Sequence, residues 1–176
     1  MELSKRLSAL VGLAEPGVCV ADVGCDHGYV SIRLVRNQMF QRAIAMDVRT
    51  GPLNAAEKNI AMYGLADKIQ TRLSDGLHEL KEAEADTVIC AGMGGALMVK
   101  ILSEGFSREK IATGITQLIL QPQSEVASVR KYLSQTGFRI VKEDMVYEDG
   151  KYYPMFRAIR CAEQDTGFGD EADCVY

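Results

Sequence analysis

Val18-Cys19-Val20-Ala21-Asp22-Val23-Gly24-Cys25-Asp26-His27-Gly28-Tyr29 is the stretch that decides the fold. Its Val-rich opening has the pattern of a strand buried on both faces of a parallel sheet. The run breaks at Gly24, and Tyr29-Val30-Ser31-Ile32-Arg33-Leu34-Val35 then brings its apolar residues back at helical spacing. Strand, glycine turn and helix open a nucleotide-binding βαβ unit. Glycine suits such a turn, where the backbone approaches a ligand closely and takes positive φ.

A second run, Arg42 to Met46, ends in Asp47, nineteen residues past Gly28. A carboxylate at a second strand's tip accepts both hydroxyls of a ribose. The turn itself reads Asp22-x-Gly24-x-Asp26-x-Gly28, whereas a dinucleotide fold would read Gly-x-Gly-x-x-Gly and leave bare amides against a pyrophosphate. Carboxylates repel a pyrophosphate and attract a sulfonium and an ammonium. The ligand expected is therefore S-adenosylmethionine, with S-adenosylhomocysteine as product, rather than NAD.

At 176 residues, 47% apolar and 25% charged, the chain is expected to hold one globular domain over residues 1–161. Residues 162–176 read as an acidic, poorly ordered tail. No apolar run approaches a membrane span and the start lacks a signal-peptide core. Five cysteines without a C-x-x-C pair point to reduced thiols and a cytoplasmic setting, with Cys19 and Cys90 in the core and Cys25 as the reachable thiol. Two histidines make a histidine-rich metal site unexpected, and no metal is implied. A net charge of −4 limits any nucleic-acid surface to local patches.

Along the chain, Leu3, Leu7, Leu10 and Val11 share one helical face and Lys5 and Arg6 the other. Gly51-Pro52 opens a helix with Pro at its first position, and Gly64 stops it. Lys68–Leu73, Asp86–Ala91 and Thr116–Gln121 read as strands, a helix follows Gly92-Met93-Gly94-Gly95, and Ser124 is the expected N-cap of another. Phe138–Tyr147 and Lys151–Cys161 alternate around Asp149-Gly150, a hairpin signal. The fold class is α/β, a Rossmann-like, mostly parallel methyltransferase sheet with a C-terminal antiparallel hairpin and helices on both faces.

The site is expected at the carboxyl edge of that sheet. Cofactor contacts are expected from Asp22, Gly24, Cys25, Asp26, His27, Gly28, Asp47, Val48, Asp75, Gly76, Ala91, Gly92, Met93 and Gly94. Asp75 either accepts the adenine amino group or simply forms its Asp-Gly turn, and His27 either packs or caps the helix or touches the ligand. Asn/Asp-Pro-Pro-aromatic, which holds exocyclic amines, is missing from the fourth-strand exit. Glycines there admit a flat base, with Met93 as an apolar surface or as core.

Leu3-Ser4-Lys5-Arg6-Leu7, Asp22 to Tyr29, Ser74-Asp75-Gly76-Leu77, Ala91 to Gly95, Leu120-Gln121-Pro122-Gln123 and Glu148 to Tyr153 together resemble the bacterial tRNA (adenine-22-N1)-methyltransferases. The resemblance implies methylation of adenine N1 in the D-arm region of a tRNA, with Asp22, Gly24, Asp26, His27, Asp47, Asp75 and Gly92–Gly95 along the working edge. Members of that family continue into a C-terminal helical domain that this chain, ending at Tyr176, does not contain. Asp26, Tyr29, Met93 and Gln121 are the candidates for the transfer itself: Tyr29 to stack on the base, Gln121 or Gln123 to read its edge, Asp26 to stabilise a cationic product. Lys5, Arg6, Arg33 and Arg36 either contact tRNA phosphates or form solvated helix faces, and a monomer is expected. Another RNA, a small-molecule acceptor, or a non-catalytic cofactor-binding module are the competing readings.

Overall fold

The computed structural model describes residues 2–161, so the expected tail lies outside the described residues. Seven strands form one sheet in the order β3-β2-β1-β4-β5-β7-β6. They are β1 (Gly17–Val23), β2 (Phe40–Asp47), β3 (Ile69–Leu73), β4 (Thr87–Met93), β5 (Gln117–Pro122), β6 (Phe138–Glu148) and β7 (Lys151–Arg160). β1 pairs in parallel with both β2 and β4, so strand order reverses beside β1. β7 runs antiparallel to β5 and to β6. Asp149 and Gly150, at φ 50° and 77°, make the tight hairpin turn.

Helices α1 (Lys5–Leu13), α2 (Tyr29–Arg36) and α3 (Thr50–Met62) cover one face, with Val20, Ala43, Ala45, Ile89 and Ile119 beneath them. Helices α4 (Gly95–Phe106), α5 (Glu109–Gly114) and α6 (Val126–Gln135) cover the other, over Ala21, Val23, Ile44, Met46, Cys90 and Leu118. The strand period of two thus sorts one apolar run into two cores. It also turns Asp22 toward α2, where Ser31 waits.

Three expectations are corrected. Pro52 stands at the third helical position, because α3 begins at Thr50; the first turn needs no N–H there either. Ser124 does not cap α6: Glu125, at φ 51°, precedes it, and the Ser124 carbonyl accepts the Gly95 N–H at 3.1 Å. β4 runs two residues further, to Met93, through a bulge at Gly92 (φ 76°). Helix α5 is an addition.

Candidate active site

The tips of β1, β2, β3 and β4, with α1, α2 and α4, enclose a cavity of about 550 Å³ at the carboxyl edge. Asp22 forms part of its wall and is buried, 5% exposed, with its Oδ2 accepting the Ser31 hydroxyl at 2.7 Å. Burial pushes its carboxyl up to about 6, against the opposing pull of the Ser31 hydrogen bonds. Gly24, at φ 74°, lets the chain turn between β1 and α2, with its amide on the Met46 carbonyl at 2.9 Å. A Cβ on Gly24 would stand 3.3 Å from Met93 Cε. Asp26 follows, exposed, at φ 51°. His27 Nε2 lies 3.7 Å from its carboxylate, and the imidazole stacks on Tyr29 with ring centroids 5.8 Å apart.

At the end of β2, Asp47 is buried. Its Oδ1 accepts the Arg49 N–H at 2.9 Å, with Arg49 Nε 3.8 Å away. Val48 lines the cavity beside it. Ser74, Asp75 and Gly76 complete that side, where the Ser74 hydroxyl donates to the Gly76 carbonyl at 2.9 Å. Opposite stand Ala91, Gly92 and Met93, with Gln123 from the β5 exit and Arg6 and Leu7 from α1. Leu97 and Ile101 of α4 add apolar wall.

Gly28, Gly94 and Gln121 fall outside the lining. Gly28 is the left-handed residue ahead of α2, and a Cβ on it would stand 3.1 Å from the Cβ of Ala56, so its missing side chain serves the packing of α3. Gly94 precedes α4, where a Cβ would meet the Ser124 hydroxyl at 3.1 Å. Gln121 is fully buried and its amide is engaged by protein groups; Gln123 is the glutamine in the wall. Cys25 lines the cavity but is 7% exposed, and desolvation pushes its thiol well up, so it is not a reachable thiol as expected. Cys25 belongs to the apolar cluster under α1, α2 and α3, and its Sγ lies 4.0 Å from the Asp26 carbonyl. His27 makes no helix cap, since that place belongs to Gly28.

Arg49, Leu97 and Ile101 were not expected at the site. Asp-x-Arg at a strand exit signals the first, while the i, i+4 spacing of the others reads as core. Arg33 and Arg36 stand in the last turn of α2, which leads away from the cavity, and Arg36 lies over the Tyr63 ring at 5.1 Å.

The cavity fits S-adenosylmethionine by the chemistry of its donors. Asp22 and Asp47 are two buried carboxylates in one wall, suited to a ligand bearing cationic groups and vicinal hydroxyls. The methyltransferase-domain family model matches residues 3–156. The tRNA (adenine(22)-N(1))-methyltransferase of Bacillus subtilis is 37% identical over 96% of this chain and 69% of its own length. The crystal structure of the B. subtilis M1A22 tRNA methyltransferase TrmK superposes with a TM-score of 0.82 at 34% identity, covering 93% of this chain and 68% of that one. M. capricolum TrmK in complex with S-adenosylhomocysteine superposes with a TM-score of 0.81 at 31% identity, covering 91% and 70%.

Proposed function

Because the chain belongs to the tRNA (adenine(22)-N(1))-methyltransferases of the methyltransferase-domain family, we propose that it methylates N1 of adenine 22 in tRNA. The observation that carries this reading is a single cavity whose carboxylate wall, Asp22 and Asp47, faces a glycine-lined strand exit, Gly92-Met93. S-Adenosylmethionine, when bound, supplies a methyl group activated on a sulfonium. Asp47 holds ribose hydroxyls and Asp22 the cationic end. Gly24, Val48, Asp75 and Gly76 complete the cofactor wall.

Adenine N1 keeps its lone pair in the ring plane, so no residue has to make it a nucleophile. What the chain contributes is position, which is worth several kcal/mol or more of the barrier. N1 lies on the pairing edge, so the nucleotide is taken out of its stack. Tyr29 and Met93 give the base two faces to lie against, Gln123 reads its edge, and Asp26 stabilises the cationic product. Lys5 and Arg6 take phosphates near the mouth, while Arg33 and Arg36, in the last turn of α2, add only a weak long-range attraction for a more distant part of the RNA. Residues 1–161 form the working domain, which acts as a monomer on free tRNA in the cytoplasm.

The test is incubation with S-adenosylmethionine and two tRNA transcripts, one with A22 and one with G22, followed by nucleoside mass spectrometry. One 1-methyladenosine per A22 transcript and none on the G22 transcript is expected. Equal methylation of both would overturn the assignment to position 22.

A further inference from the structure

Arg6 is held as firmly as an active-site group. Its Nη1 donates to Gln121 Oε1 at 3.0 Å, and its guanidinium lies over the Tyr153 ring, 5.3 Å from the centroid. Gln121 is fully buried; the same Oε1 accepts the Gly92 N–H at 3.1 Å, and Nε2 donates to the Pro122 carbonyl at 3.2 Å. Two donors on one oxygen fix which way the amide faces. A Cβ on Gly92 would stand 3.4 Å from Nη1, so the cation hangs over the exit of β4. Gln121 occupies one of five N–H donors. The other arginine lining the cavity, Arg49, is set against Asp47 two strands away.

Resting on the RNA-methylation reading, we propose that Arg6 clamps the phosphodiester of the acceptor nucleotide, with Gln121 as its positioning residue. A planar fork of donors matches a phosphate bidentately. Adenine N1 cannot be its partner, because a donor there would occupy the lone pair that reacts. Asp22, Asp26 and Asp47 repel a phosphate from the other side of the cavity. Arg6 thereby decides which end of the cavity the nucleotide enters.

The experiment compares wild type with Arg6→Ala, Arg6→Lys and Gln121→Leu. S-Adenosylhomocysteine affinity is read by calorimetry, tRNA affinity by filter binding across a salt series, and methylation by steady-state kinetics. S-Adenosylhomocysteine affinity is expected to hold in all four, which also reports an intact fold. Arg6→Ala should raise the KM for tRNA about 10- to 100-fold with a smaller change in kcat, the loss expected for hydrogen bonds to a charged group. It should also flatten the plot of log affinity against log salt by about 0.7–0.9, the share of one phosphate. Arg6→Lys keeps the slope without restoring kcat/KM, and so does Gln121→Leu, because each keeps a charge and loses the held fork.

A fall in S-adenosylhomocysteine affinity in Arg6→Ala, with its denaturant midpoint unchanged from wild type, would assign the guanidinium to the cofactor's carboxylate and overturn the clamp. An unchanged salt slope would overturn it as well. Wild type that binds tRNA yet forms no 1-methyladenosine would sink the methylation reading, and the slope of Arg6→Ala would still decide the clamp.

Discussion

The two sides of the cavity are built in different ways. On the β1–β2 side the two buried carboxylates are fastened by near neighbours in sequence. Asp22 accepts from Ser31, nine residues on, and Asp47 from the amide of Arg49, two residues on. On the β4–β5 side, Gln121 binds Gly92 across 29 residues and Arg6 across 115. Local strand-turn-helix code makes the carboxylate side, and tertiary packing makes the cationic side. On the proposed function, the first is the cofactor's side and the second the acceptor's.

Removing Asp47 should separate the sides most sharply. On the proposed role, Asp47→Ala removes an acceptor for two ribose hydroxyls, at about 1.5–3 kcal/mol per charge-assisted hydrogen bond, so S-adenosylmethionine affinity should fall about 100-fold or more. Filter-binding affinity for tRNA should stay within about twofold of wild type. A parallel loss of both would show that the two sides are one unit.

Asp22 gives the carboxylate side a pH signature. Its folded pKa, about 6, lies above the ordinary 3.8 because burial disfavours the charge. The stability tied to its neutral form is therefore present below pH 3.8 and lost as pH rises through about 6, a difference of about 3 kcal/mol. Asp22→Asn should leave the ligand-free protein more stable than wild type at pH 7 by up to that amount, with the gap closing toward pH 4. Its S-adenosylhomocysteine affinity should fall, since the carboxylate strained by burial is the one a cationic group relieves. Denaturant midpoints of both proteins from pH 4 to 7 check this; a gap independent of pH would break the argument.

The same division governs what the sequence could disclose. The strand from Val18, the turn at Gly24 and Asp47 were readable because periodicity and charge act over a few residues. The hairpin at Asp149-Gly150 was readable for the same reason. Helix α5 was not, because its six residues are too few for a period to register. Gln121 shows the harder limit: Leu-Gln-Pro at a strand end does not tell whether the amide faces a ligand or is sealed. Its partner Arg6 lies at the other end of the chain. Gly28 was legible as a glycine that a turn requires, but the Ala56 side chain that its bareness admits was not.

Gly24 is where the two sides touch, so its substitution should give a middling effect on both. In Gly24→Ala the residue would hold φ 74° with a side chain, costing about 1–2 kcal/mol. The new methyl would press on Met93 Cε at 3.3 Å. Cofactor affinity and kcat/KM for tRNA should fall together, each about tenfold. A loss confined to the cofactor would mean that Met93 moves aside freely and the sides are mechanically independent.

The smallest effect is expected at Arg36. Helix α2 carries it about 10 Å along its axis from Tyr29, and its guanidinium rests on Tyr63 rather than over the cavity. Arg36→Ala should cost about 0.5–1 kcal/mol of stability through the lost cation–π contact, and less than about threefold in tRNA affinity. The salt slope is what makes the comparison with Arg6 informative. If Arg36→Ala flattens it as much as Arg6→Ala does, RNA recognition is spread evenly over α1 and α2. In that case the long-range assembly around Gln121 has no special share in choosing the acceptor. If only Arg6→Ala flattens it, selection is concentrated where the chain's distant parts meet.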